Sequence, residues 1–583
     1  MARHGLLDAS DPPQAEPVKF LSLLLVAAIA CSGVAAQPQQ QSDSQRLELV
    51  RKAYDAKQFD EAARLAEGSP GQSAELDYWD GMALAHLQRW VEARNAFTAG
   101  HAKSPHDPKF LTERAGSEYR LNHFSNAKDD LRKALRLDPN DAYAREFLGT
   151  LYLLESNIEA ALKYWNPLEK PRLASVRLEP STSLNARLQE RATTFRAPAT
   201  LERNDYMRTN ALFENLAVFS SWRTELAPTA NDDAYSATIR FSERSNWGSS
   251  WLGTGVALAS GLPYETIYPE FHNLGGEAVN IESLARWDSE KRRYAAEVSA
   301  PLFRNPARRV SLFFDARNEN WNLSRSFLGA PTPITDLNLR RFAGGARIRV
   351  VQSGLWSWTA GVQIVSREFR NVPAVVAPEA APFFTNSASF EAWLQFDRSL
   401  LRVPERRFTL DATAAAHVGR GFADALGPFG SLGAGLKAHW LPQARGDDYE
   451  FIMQLRAANT FGDVPLDQLF ELGLDRDNDL WLRGHRAFID GRKGGAPLGR
   501  RYALLNSEFS KIVYNHPLFR VQFGPFLDSG ATADPSGLFG SQGWQTDAGA
   551  QMKVRVLADV TLVLSYGWDL RRGSGTFFGT AVP

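Results

Sequence analysis

Few residues in this chain are arranged for covalent chemistry. Ser431 and Ser541 stand in Phe429-Gly430-Ser431-Leu432-Gly433 and Phe539-Gly540-Ser541-Gln542-Gly543, each lacking the first glycine of the Gly-x-Ser-x-Gly elbow that presents a nucleophilic hydroxyl on a tight turn. The ten histidines show no metal-ligand spacing; His101 and His106 fall between repeat helices and His485 in a loop. Asp475-Arg476-Asp477-Asn478-Asp479 has the alternating acids of a calcium loop without its glycine or closing glutamate, so a solvated acidic loop is expected. No catalytic residue, metal site or cofactor is expected, and the chain reads as a non-enzyme.

The elements that carry these residues follow from composition and period. Of 583 residues 44% are apolar and 23% charged, with 66 basic side chains against 66 acidic ones. That balance excludes global disorder and gives no electrostatic case for a nucleic-acid partner, which needs a basic surface. The single cysteine forbids an intrachain disulfide. Lys19 precedes an apolar run from Phe20 to Ala30, too short for a membrane helix and about right for an export signal. Val34-Ala35-Ala36 offers a cleavage site before Gln37, giving a signal peptide over 1–36; lipidation of Cys31 is the alternative.

Residues 37–170 are expected to form tetratricopeptide (TPR) helical repeats of period 34. Gly81, Leu84, Ala93, Phe97, Gly100 and Pro105 recur as Ala115, Glu118, Ala127, Leu131, Ala134 and Pro139, and again as Gly149, Tyr152, Ala161 and Trp165. Small residues mark where paired helices touch, large ones fill the groove, and proline stops the second helix. Glu118 breaks the pattern, and Tyr119 beside it is expected to take over the packing. An imperfect first unit with Tyr54, Phe59 and Ala62 reads as a cap, and the array as a docking surface.

Residues 171–247 predict a small α+β domain in the order β-α-α-β-β: a strand at 173–178, helices through Leu188 and Leu212, then strands at 221–226 and 235–241. This order resembles the POTRA domains that precede outer-membrane assembly barrels. From about residue 248 the period becomes two. Leu562, Leu564, Tyr566, Trp568 and Leu570 alternate with Thr561, Ser565, Gly567, Asp569 and Arg571; Val310, Leu312, Phe314 and Ala316 alternate with Ser311, Asp315 and Arg317. A soluble sandwich shares this alternation. Strands of about ten residues, aromatics near their ends and an export signal favour a transmembrane antiparallel β-barrel over 248–583, with room for about sixteen strands.

The last hundred residues carry motifs. Trp481-Leu482-Arg483-Gly484-His485 resembles the signature of the BamA, TamA and FhaC superfamily of outer-membrane assembly and translocation barrels, the bacterial surface antigens. There an apolar residue and Arg-Gly precede an aromatic on a loop folded into the lumen; here histidine replaces the aromatic. Leu505-Asn506-Ser507-Glu508-Phe509, Phe526-Leu527-Asp528-Ser529-Gly530 and Tyr566-Gly567-Trp568-Asp569-Leu570-Arg571 resemble the wall strands that follow, and Trp251-Leu252-Gly253-Thr254-Gly255 and Asn273-Leu274-Gly275-Gly276 the first ones. The resemblance implies that Leu482, Arg483, Gly484 and His485 lie inside the barrel against Glu508, Phe526, Asp528 and Gly530. A guanidinium binds a carboxylate through two parallel hydrogen bonds, so Arg483 is expected to pair with Asp528, and with Glu508, pinning the loop.

The expected function is assembly or translocation of client polypeptides through the barrel, in the outer membrane of a Gram-negative cell. TPR and POTRA-like modules in the periplasm would bind clients, and other assembly components and outer-membrane lipid would be partners. The alternatives are a TPR-plus-barrel exopolysaccharide export porin, with an open acidic lumen, and a structural or adhesive surface protein.

Overall fold

The computed structural model describes residues 37–583 except 68–71, 231–233, 249–253, 256–257, 259–260, 326–331, 373–382, 423–425, 517, 535–538, 540–542, 557–559 and 583. The signal peptide, Cys31 and Trp251-Leu252-Gly253 lie outside the described residues. The chain divides into two compact units, Met1–Ala144 and Arg145–Pro583.

The first unit is helical: Gln37–Asp55, Phe59–Ala66, Ala74–His86, Trp90–Lys103, Pro108–Arg120 and Phe124–Leu137. Each helix pair turns on a residue in left-handed backbone at the equivalent place, Lys57, Gln88 and Asn122. Small residues are where helices touch. A Cβ on Gly81 would strike the Phe97 ring, and Ala93, Phe97 and Ala127 are fully buried. Pro105 and Pro139 sit in the turns after Trp90–Lys103 and Phe124–Leu137. Glu118 keeps the buried position that the repeat assigns to it, contrary to the expected hand-over to Tyr119. Its carboxylate lies 2.7 Å from His123 Nδ1, while Tyr119 packs at a tilt against Phe124.

The second unit begins with the last repeat, Ala142–Leu154 (from Arg145) and Ile158–Trp165, turning on Ser156. Gly149 makes room for the Trp165 ring, and Tyr152 and Ala161 are buried. Strand Arg172–Glu179, helices Ala186–Ala192 and Arg203–Leu216, and strands Phe219–Pro228 and Ala234–Glu243 follow. Arg172–Glu179 pairs in parallel with Ala234–Glu243, which pairs antiparallel with Phe219–Pro228. Ala199–Thr200 adds a short strand on the other edge. One core holds this domain, the helix before it and the barrel together: Ile158 and Leu162, then Leu188, Phe213, Phe219 and Ile239, then Ala278 and Val351.

The remaining strands, apart from the separately paired Phe470–Glu471 and Leu498–Gly499, close into a barrel. Among the described residues eighteen segments belong to its sheet, against about sixteen expected; the two-residue arms Phe488–Ile489 and Arg492–Lys493 lie on an inward segment, and the rest form the wall. Closure excludes the sandwich. On Val560–Asp569, Tyr566 and Trp568 are exposed while Ser565 and Asp569 are buried, and on Arg308–Arg325, Leu312 and Phe314 face out while Ser311 is buried. An apolar outside and a polar inside are what a barrel in lipid requires. Four turns at one end meet the small domain and its preceding helix. Asn185 N donates to the Gly276 carbonyl (2.7 Å), Asn215 Nδ2 to Pro306 (2.7 Å) and Asn157 Nδ2 to Pro404 (2.7 Å), and Gly354 abuts Met207.

Asp80, on Ala74–His86, is pushed up to about 6 by burial and by neighbouring Asp77 and Glu67. Its ionisation therefore opposes folding, so this contribution is favourable below the ordinary carboxylate range and is lost as pH rises through about 6. Asp80→Asn should stabilise these helices by about 1–2 kcal/mol at pH 7.5 and by almost nothing at pH 4, read by hydrogen exchange of their amides.

Candidate functional site

Strands Tyr449–Gly462 and Arg501–Asn515 are direct neighbours in the wall. The segment between them, 463–500, leaves the wall and returns to it at one place, and spends its length inside. Leu466, Leu472, Leu474, Leu482, Ala487 and Ala496 are buried, and Phe470↔Gly499 and Phe488↔Lys493 pair within the segment. Lys493 also registers with Trp321 of the wall.

Arg483 anchors it. Nε and Nη2 form a fork on Asp528, each at 2.8 Å, and the Arg483 amide donates to the same carboxylate at 3.1 Å. Nη1 reaches Gln551 (2.6 Å) and Glu508 (3.2 Å), and the guanidinium lies 3.6 Å over the Phe526 ring. Asp528 is 0% exposed; a carboxylate so placed needs a fixed cation, because desolvation costs several kcal/mol. Asn506 donates to it as well (2.8 Å), and Lys553 pairs with Glu508. Leu482 packs with Leu472, Leu480 and Leu504. Gly530 lies under Leu504 and Leu472. Gly484 has no room for a Cβ against Asp547; its amide donates to Asp547 Oδ2 (2.6 Å) and its carbonyl accepts from Thr576 (2.8 Å).

One expectation needs correction. The acids at 475–479 are not a solvated loop. Asp475 accepts from Lys291 Nζ at 2.6 Å, and Asp477 from Arg286 Nη1 at 2.5 Å and Arg293 Nη1 at 2.7 Å, with both aspartates almost wholly buried. Only Asp479 stays exposed, paired with Arg456. Arg286 and Arg293 face one another in register on the wall, and two opposed arginines there call for an anion between them. His485 is the loop residue expected, and it sits between Asp547 and Asp569. A third fastening went unread: Asp467 accepts from Arg341 (2.9 Å) and Arg367 (2.5 Å), and Arg367 also holds Glu391 (2.7 Å).

The arrangement defines a helical-repeat protein whose membrane-type barrel holds an ion-paired segment of its own chain. No protein-family model and no curated protein matches it. Among solved structures it is similar to BamA from Haemophilus ducreyi lacking POTRA domains 1-3, at 14% identity and TM-score 0.39, over 70% of this chain and 84% of that one. It is also similar to CdiB from Escherichia coli (14%, TM-score 0.46, 71% and 77%). MamA from Desulfovibrio magneticus RS-1 is similar over a shorter stretch (14%, TM-score 0.21, 22% and 73%). The barrel and the helical repeats stand on the chain's own strand pairing and helix order.

Arg483→Ala would leave Asp528 buried without its cation, at about 3–5 kcal/mol. The temperature at which the folded band disappears in a heat-modifiability gel should drop, and Arg483→Lys, which keeps charge but loses the fork, should restore only part of it.

Proposed function

We propose that this chain is an outer-membrane protein of a Gram-negative cell that assembles or translocates client polypeptides, with its small domain, POTRA-like, and its repeats in the periplasm. The observation that carries the reading is the segment 463–500 held inside the barrel by Arg483. A fixed plug suits a machine that handles polypeptide one at a time, and does not suit a standing pore for polymer export. The cavity left beside the plug, about 1020 Å³, is lined by both signs of charge, with Arg341, Arg349 and Lys437 beside Asp397, Asp411 and Glu319. An acidic conduit would not mix them.

No covalent catalysis is needed. Phe219–Pro228 is an edge strand of the small domain's sheet, and an extended client can add to such an edge through main-chain hydrogen bonds. The repeats supply a docking surface for clients or for other assembly components. An adhesive role would leave the plug without a purpose.

Planar-bilayer recordings and crosslinking test this together. Wild-type protein should conduct little, Arg483→Ala should conduct in large, flickering steps, and a photo-crosslinker at the exposed Ala227 on the edge strand should capture unfolded outer-membrane or secreted polypeptides in cells. A wide, steady wild-type pore with no captured polypeptide would overturn the reading in favour of polymer export.

A further inference from the structure

His485 stands where the resembled signature has an aromatic, and its surroundings are polar. Asp547 on strand Gln545–Val556 and Asp569 on strand Val560–Asp569 are register partners, so both carboxylates leave the wall at one level and point at the same loop residue. All three side chains are buried, at 7%, 0% and 2% exposure for His485, Asp547 and Asp569. Among the described ion pairs, His485 is the only partner of either carboxylate; Arg483 next door is taken up by Asp528, Glu508 and Gln551.

The hydrogen bonds around the cluster leave a specific deficit. His485 Nδ1 lies 3.1 Å from Asp547 Oδ2, which also accepts from the Gly484 amide. Asp569 Oδ1 accepts from the amides of Arg571 (2.8 Å) and Arg572 (3.2 Å). What remains is His485 Nε2 and Asp547 Oδ1, both buried without a hydrogen-bond partner. Nε2 is 3.3 Å from Asp569 Oδ2, yet its in-plane N–H direction makes no hydrogen bond there. An ion on the in-plane lone pair of Nε2 can hold a carboxylate oxygen well off the N–H axis, which a proton on that nitrogen does not do.

We propose that His485, Asp547 and Asp569 bind a divalent first-row transition ion, of the zinc class, that clasps the lumen segment to the last wall strands. One nitrogen and two carboxylate oxygens are borderline donors suited to such ions. Ligands held at about 2.0–2.2 Å from one ion stand about 3–3.5 Å apart when adjacent, the separation of Nε2 and Asp569 Oδ2. One donor atom from each of the three residues lies within 4.8 Å of the others. The clasp is independent of what the barrel transports. It also joins residues that the Arg483 fork does not touch, so the segment would be held to the wall at neighbouring but separate points.

The test uses untagged full-length protein in detergent, stripped with chelator and dialysed against Co²⁺ or Zn²⁺. Elemental analysis should find about one ion per folded chain, and Co²⁺ should give visible absorption bands of a low-coordinate site. His485→Phe, which restores the aromatic, and Asp547→Asn should each lower the bound metal at least tenfold while keeping the heat-modifiable folded band. Chelator should lower the temperature at which that band is lost in wild type and leave it unchanged in His485→Phe. Folded wild-type protein that binds no stoichiometric metal, or a folded His485→Phe that binds as much as wild type, would overturn the proposal.

Discussion

A charge removed from water must find its opposite, and the interior of this barrel is organised by that constraint. Asp528 is fully enclosed and is held by both arms of one guanidinium. Asp477 is held by two arginines and Asp467 by two others. Each of these acids except Asp528 belongs to the inward segment, and each cation except Arg483 belongs to the wall, so the pairs fix register as well as position. Deleting one partner is far costlier than the pair is worth in net stability, because the other charge is then stranded. Such pairs therefore specify one seating for the segment. An apolar lining would have tolerated several.

The same unit is stiff where the small domain meets the barrel. Glu159, on the helix ahead of that domain, accepts from Arg402 of the barrel (2.7 Å) and Arg203 of the domain (2.9 Å). Burial alone would raise its carboxyl, but the two guanidiniums outweigh that and hold it below the ordinary value. Lys163 and Tyr164 on the same helix pair with Glu405 in a barrel turn. With an apolar core running continuously through the three parts, a hinge between the small domain and the barrel would have to break packing as well as ion pairs.

Periodic structure was legible in the sequence because period is local. Gly81, Ala93 and Phe97 announce a helix pair by spacing alone, and the alternation through Leu562, Leu564 and Tyr566 assigns those side chains to the outside before any barrel is drawn. The lumen contacts were legible only where a motif carried them, as for Arg483 and Asp528. Asp475 and Asp477 looked like a wet loop because their partners lie on strands almost two hundred residues earlier, and burial by long-range contact leaves no trace in local composition. Glu118 failed for the opposite reason: a misfit in a repeat was compensated within five residues, by His123, at a spacing that packing rules do not examine. His485 was read by its neighbours in sequence, whereas its environment is set by the pairing of Asp547 with Asp569 across a ladder.

How firmly the segment is held follows from asking what replaces its contacts when it leaves. Arg483, Asp475 and Asp477 would pass from partnered charges to hydrated ones in a water-filled lumen, an exchange worth little because hydration repays most of what pairing gave. Leu466, Leu472, Leu474 and Leu482 are each almost completely buried and would be exposed to the same water at roughly 1.5–3 kcal/mol apiece. The leucines thus supply most of the holding energy, and the ion pairs decide where the leucines sit. A plug built this way resists spontaneous loss, and its charges do not oppose release once water reaches them. A plug held by charges alone would loosen with salt, and one held by leucines alone would lack a defined place to return to.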